Sequence, residues 1–215
     1  MTTVSAHAVL LDMDGTLVDS TGIVEAVWTA WSAIRGLDPE HVVRTVHGRQ
    51  SRASIAALLP GISEERLLAE DAWLLEQELA ESGRAAAVPG AADLLAGLTE
   101  VPHALVTSAP EELARVRMSA AGLGMPALAI TAEQVSASKP DPEGFLIAAA
   151  RLGVDPSDCL VFEDSAAGIA SARAAGMRVV GVGEAASTHA PDWVVTTLAA
   201  PAVDPESGIA RFDLV

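Results

Sequence analysis

The chain has a single cysteine, Cys159, no tyrosine, and only 3% aromatic residues. A lone cysteine excludes an intrachain disulfide and any site built from clustered thiolates. Set inside an apolar run, Cys159 reads as an inert core thiol. Bases are scarce too, with 13 Lys and Arg against 29 Asp and Glu and a formal net charge of −16. That balance argues against nucleic acid or an anionic membrane as partner. It would also repel an anionic substrate at long range, so a bound cation or a few local bases would have to recruit one. No apolar run approaches the roughly 18 residues of a membrane span, and the start lacks the basic and apolar regions of a secretory leader. The expectation is a soluble, cytoplasmic protein, with no internal repeat or low-complexity tract.

Half of the 215 residues are hydrophobic, enough for a sizeable core in one domain with an insertion or in two small domains. The most informative stretch opens the chain. An apolar run, Ala8 to Leu11, stops abruptly at Asp12 and Asp14, followed by Gly15 and Thr16. A short apolar run bounded by a turn signal reads as a buried strand of a parallel sheet. Strand periodicity puts the two carboxylates on one face, with Gly15 turning the backbone beside them. They fit a metal or acid–base site, or an acidic surface turn.

The pattern then becomes helical. Ser20 or Thr21 can cap a helix whose Ile23, Val27, Trp28, Trp31 and Ile34 recur at helical spacing, ending at Gly36. Asp38 and Pro39 start a second helix, running to His47–Gly48. A third covers about 49–59, and Ser63 caps a fourth that closes at Gly83. From Asp19 to about Val88 no strand signal appears, so this block reads as a helical insertion. Beyond Val88, apolar runs at 103–106, 127–130, 159–162, 178–182 and 193–195 alternate with helical segments at about 91–98, 111–121, 143–152 and 166–175. Such alternation implies βαβ units around a parallel sheet. The stretch after Leu198 carries no clear pattern.

All strands of a parallel sheet point their carboxyl ends the same way, so Asp12/Asp14, Thr107/Ser108, Lys139 and Glu163/Asp164 can converge on one crevice. Clustered carboxylates repel, and a hard cation such as Mg²⁺ with oxygen ligands relieves that repulsion. A lysine and a hydroxyl beside it suit a phosphate. Each group also has a plainer reading. Thr107 can simply end a strand, Lys139 can be a solvated surface lysine, and Glu163/Asp164 can offset a helix dipole.

In order along the chain, Asp12-Met13-Asp14-Gly15-Thr16, Leu105-Val106-Thr107-Ser108, Lys139-Pro140-Asp141-Pro142 and Val161-Phe162-Glu163-Asp164-Ser165 with Ala167-Gly168-Ile169 resemble the four motifs of the haloacid dehalogenase-like phosphohydrolases. The helical block resembles the C1-type cap of the subfamily that includes sugar-phosphate phosphatases and β-phosphoglucomutase. The resemblance implies an α/β fold, with a Rossmann-like core (residues 1–18 and 89–215) and a small all-helical cap (residues 19–88). It implies Asp12 as the nucleophile forming an aspartyl-phosphate. It implies Asp14 as the acid that protonates the leaving alcohol and then the base for water, typically worth ~10²–10⁴-fold. By the same resemblance Mg²⁺ would be held by Asp12, the main-chain carbonyl of Asp14 and Asp164, with Glu163 in or beside that shell. Thr107 and the main chain at Ser108 would hold phosphoryl oxygens, and Lys139 would screen Asp12 from the phosphate.

The cap segment 46–52 brings His47, Gly48, Arg49 and Arg52 into an otherwise acidic chain and resembles a His-Gly segment of sugar-phosphate phosphatases. It marks His47, Gly48 and Arg49 as candidate substrate contacts, although an ordinary helix–helix turn with solvated arginines accounts for it equally. The activity implied is Mg²⁺-dependent hydrolysis of a small sugar or polyol phosphate by a monomer or weak dimer. The alternatives are a phosphomutase, and a phosphatase of a nucleoside-like or secondary-metabolite phosphate. A dehalogenase would have no use for Asp14. A phospho-acceptor signalling module would be shorter, without the helical block.

Overall fold

The computed structural model describes residues 2–214, so the outermost residues of the expected core, 1 and 215, lie outside the described residues. The elements run β1 (Thr2–Ala6), β2 (Ala8–Leu11), β3 (Val18–Asp19), α1 (Thr21–Arg35), α2 (Pro39–Val46), α3 (Ser51–Leu58) and α4 (Glu64–Glu81). They continue with β4 (Ala86–Ala87), α5 (Ala91–Gly97), β5 (His103–Val106), α6 (Glu111–Ala120), β6 (Ala129–Ile130), α7 (Glu143–Leu152) and β7 (Cys159–Glu163). The last are α8 (Ala166–Ala174), β8 (Arg178–Val182), β9 (Trp193–Val195), β10 (Ala202–Val203) and β11 (Ala210–Leu214).

Six strands form a parallel sheet in the order β6-β5-β2-β7-β8-β9. Alternation along each strand splits its side chains between two layers. Val9, Leu11, Leu105, Leu160 and Phe162 face a cluster completed by α5 and α6. Ala8, Leu10, Val106, Cys159 and Val161 face a second one completed by α7 and α8. Burial on both faces is why these strands read as unbroken apolar runs. β2 lies in the middle, between β5 and β7, so the chain leaves it towards one edge and later crosses to the other. The crevice beyond its carboxyl end is where an open α/β sheet receives ligands.

The helical block has its own core of Val27, Trp28, Trp31, Val42, Val46, Ile55, Leu58 and Leu74, with the two tryptophans edge to face at 5.3 Å. Ile34, counted on the apolar face from its spacing, is 59% exposed instead. Ser20 precedes α1 but makes no capping bond there; its hydroxyl is used at the site. The chain enters and leaves the block side by side, Val18 opposite Ala87 and Asp19 opposite Ala86 in an antiparallel pair. Asp19, Ala86 and Ala87 of that pair lie within the stretch that carried no strand signal.

A second sheet, β1-β11-β10, adds its inner face to the α5/α6 cluster. Ala210, Phe212 and Leu214 turn inward while Arg211 and Asp213 face out, and Phe212 packs on Phe162 at 5.3 Å. The chain beyond Leu198 is therefore structured, a departure from the patternless reading. No helix of the described residues is long and apolar enough to cross a membrane.

Candidate active site

Asp12 follows β2 directly, its N–H bonded to the Phe162 carbonyl at 3.0 Å, which locks the two central strand ends together. Lys139 arrives from the proline-bounded loop before α7 and is 7% exposed. Its ammonium donates to Asp12 Oδ1 (2.6 Å), Glu163 Oε2 (2.7 Å) and the Val106 carbonyl (3.1 Å). Those three acceptors use all its donors. Between two carboxylates and 5.2 Å above the Phe145 ring, Lys139 is held protonated, its pKa raised despite burial.

Glu163 is fully buried at the end of β7. Its other oxygen accepts from the Asp164 and Ser165 amides and the Ser165 hydroxyl. Burial alone would raise its pKa, but Lys139 and these donors hold it down. Asp12 and Asp164 go the other way. Burial, and then the charge of Glu163, push both well above the usual carboxylate range. Oxygens of Asp12, Glu163 and Asp164 lie within 4.8 Å of one another. Gly15, at φ +84°, makes the approach possible, since a Cβ there would overlap the Asp164 carboxylate.

Asp14 sits apart from that cluster. Its Oδ1 accepts from the Ser20 hydroxyl (2.6 Å) and from Arg117 Nη1 (2.9 Å). Thr107, 5% exposed, follows β5 directly and accepts from the Ala109 amide at 3.1 Å. The Ser108 hydroxyl is turned towards the helical block, donating to the Gly48 carbonyl at 2.9 Å.

The block closes over this crevice. Gly48, at φ +73°, lies so near Ser165 that any side chain would overlap it. Gln50 adds bonds to Ser138 Oγ (2.8 Å) and to the Ala132 carbonyl (3.2 Å). A cavity of about 80 Å³ remains, with Asp12, Asp14, Thr107, His47, Arg49 and Arg117 in its walls. His47 also lies 3.3 Å from Glu25. Arg52 turns away from the cavity to Asp71 at 2.7 Å. Sequence spacing gave no hint of Arg117 or Glu78, which meet at 3.1 Å in the cavity wall. Only the fold joins Asp14 to a residue 103 positions on.

The donor set is all carboxylate oxygen, and two of its members are held at unfavourable charge, so a hard divalent cation fits it. A family model described as haloacid dehalogenase-like hydrolase matches residues 6–176. Hexitol phosphatase A of Escherichia coli is 41% identical over 181 residues, covering 83% of this chain and 84% of that protein. Validoxylamine A 7'-phosphate phosphatase of Streptomyces hygroscopicus is 37% identical over 180 residues, covering 80% and 84%. Among solved structures, a β-phosphoglucomutase from Clostridium difficile superposes with TM-score 0.78 at 22% identity, over 89% of this chain and 91% of that one.

Proposed function

The chain belongs to the haloacid dehalogenase-like hydrolase family and is a phosphomonoester hydrolase; we propose that it dephosphorylates a small sugar or polyol phosphate through an aspartyl-phosphate on Asp12, with Mg²⁺ as cofactor. One observation carries the reading. Asp12, Asp164 and Lys139 meet at the end of the central strand, with a buried hydroxyl and the ion pair Asp14–Arg117 around the same cavity.

In the proposed chemistry an Asp12 oxygen attacks phosphorus as the bond to the leaving alcohol breaks. Asp14 gives its proton to the departing oxygen. Water then attacks the phosphoryl group, Asp14 takes its proton, and the bond to Asp12 breaks to release phosphate. Asp12, the Asp14 carbonyl and Asp164 would hold Mg²⁺. When bound, the ion supplies the positive charge that lets one anion approach another. Glu163 serves better as the anchor of Lys139 than as a ligand, because both its oxygens are already occupied. Lys139 keeps Asp12 oriented and offsets phosphate charge. Thr107 and the main chain at Ser108 would hold phosphoryl oxygens.

Residues 19–88 act as a cap over the core of 1–18 and 89–215, hinged at β3 and β4. His47, Gly48 and Arg49 read the leaving group. A cavity of about 80 Å³ is too tight for a hexitol phosphate, so the cap opens to admit one. The relative named for hexitol phosphates supports this substrate class.

The test is phosphate release from a panel of glycerol 1-phosphate, hexitol 6-phosphates, 2-deoxyglucose 6-phosphate and p-nitrophenyl phosphate, with Mg²⁺ and with chelator. Turnover of the polyol or sugar esters that vanishes on chelation is expected. Isomer formation without phosphate release would make the protein a mutase. Inactivity on every ester would refute the reading.

A further inference from the structure

Arg117 is the one guanidinium of the described residues that is both fully buried and in the cavity wall. It projects from α6 of the core, and its two terminal nitrogens are divided. Nη1 holds Asp14 Oδ1 at 2.9 Å, and Nη2 holds Glu78 Oε2, on helix α4 of the cap, at 3.1 Å. Its Nε has no partner among the described residues. A clamp that served only to hold two helices together would be better made of apolar side chains, since a buried ion pair with an unsatisfied donor adds little stability. The position of the charge is therefore what needs explaining.

Two donors reach Asp14, and both reach the same oxygen. Ser20 Oγ approaches Oδ1 at 2.6 Å from the entry to the cap, and Arg117 approaches it from the core. Held from two sides, the carboxylate is fixed about its terminal bond. Oδ2 accepts nothing among the described residues, which leaves it as the oxygen able to exchange a proton with a ligand in the cavity. The Glu78 side chain is 13% exposed, and its pKa is raised chiefly by the loss of solvent, with Arg117 opposing the rise and Asp14 adding to it. Its place opposite Arg117 depends on α4 lying against α6, that is, on the cap being closed.

We propose that Arg117 is a positioning residue that presents Asp14 Oδ2 to the leaving-group oxygen, and that Glu78 makes this presentation depend on cap closure. This rests on the reading of Asp14 as the proton donor. Opening the cap withdraws Glu78 and Ser20 from their shared partners, so the guanidinium is free to tilt and Asp14 loses its fixed orientation. Proton delivery is then confined to the closed state, where water is excluded.

The test exploits leaving groups. An alkoxide needs a proton as it departs, whereas p-nitrophenolate does not, and kcat/KM reports only the steps through release of the alcohol. Arg117→Met should lower kcat/KM on the best alkyl phosphate of the panel by about 10²-fold. On p-nitrophenyl phosphate the loss should be at most about 5-fold, because protonation contributes nothing to that step. Glu78→Gln keeps the size and an acceptor but removes the charge, and should show the same selective loss at about 10-fold. Equal losses on both esters in both variants would overturn the positioning role and leave a structural clamp. If the wild type cleaves neither ester, the phosphatase reading itself falls and takes this one with it. Wild-type activity with proportional losses removes this one alone.

Discussion

Two buried charge clusters, one in the core and one in the cap, are built from the same ingredients and settled in opposite ways. In the cap, Glu70 is 4% exposed and accepts from Trp31 Nε1 (2.9 Å) and from Arg35 Nε (2.8 Å) and Nη2 (2.5 Å), with Arg66 3.6 Å away. One carboxylate faces two guanidiniums. In the core a single ammonium, Lys139, faces Asp12 and Glu163, with Asp164 close by. Burial pushes the carboxyl pKa up in both places. Arg35 and Trp31 outweigh it at Glu70, whose pKa is lowered, while Glu163 adds to it at Asp12 and Asp164. The cap cluster is satisfied and holds helices together. The core cluster carries surplus negative charge, and that surplus is what a cation and a substrate can use.

The largest effect expected from this contrast is on activity. Asp12→Asn should cut phosphate release on the order of 10⁴-fold or more, read by phosphate assay with Mg²⁺ saturating. Its melting temperature in chelator should not fall, because the change removes a charge that the fold holds at a disadvantage. A clear loss of stability there would mean that the core cluster is structural, like the one in the cap. Lys139→Met comes next. It strands Asp12 and Glu163 without a cation, and should cost about 3–5 kcal/mol of stability in denaturant titration together with activity. A fully stable variant would show that the ammonium does not hold the two carboxylates together.

The core cluster was the more legible of the two in the sequence, for a physical reason. Its carboxylates sit where apolar runs stop, at Leu11–Asp12 and Phe162–Glu163, as does the neighbouring Thr107 after Val106, while Lys139 stands in a proline-bounded loop. A parallel sheet brings such ends together whatever the loop details. The alternation of strand and helix, and the caps Asp38, Ser63 and Ser165, are local signals of the same kind. What was not legible depends on pairing between distant surfaces. Arg117 looks like any helix arginine until α6 is packed against α4. Ser20 has the sequence of a helix cap but bonds to Asp14, and that choice depends on where the turn after Gly15 leads. β11 does alternate, Ala210, Phe212 and Leu214 inward against Arg211 and Asp213 outward. So short an alternation becomes a strand only once β1 is there to pair with it.

The cap side of the comparison is sharpened by Glu70→Gln, which keeps the shape but loses the charge-assisted bonds. It should cost about 1.5–3 kcal/mol, with kcat/KM on the best ester within about 2-fold of wild type, since Glu70 does not line the cavity. A matching loss of activity would mean that the helical core transmits strain to the site, and the two clusters would no longer be independent.

The smallest effect is the acid dependence of that same contribution. Because the pKa of Glu70 in the folded chain lies below its usual value of 4.5, the folded protein binds this proton less readily than the unfolded one. Its stabilisation is therefore complete above about 4.5 and disappears as the pH falls through the lower folded value. Wild type and Glu70→Gln should differ by a constant amount from neutral pH down to about 5, and their melting temperatures should converge as the pH falls through the lowered pKa of the folded chain. Subtracting the two curves cancels the titration of the distant core carboxylates, whose raised pKa values act with the opposite sign. A difference that stays constant down to the lowest pH at which both variants fold would show that Glu70 contributes by shape alone. The cap would then owe its cohesion to Trp28, Trp31 and their apolar neighbours, and not to the ion pair with Arg35.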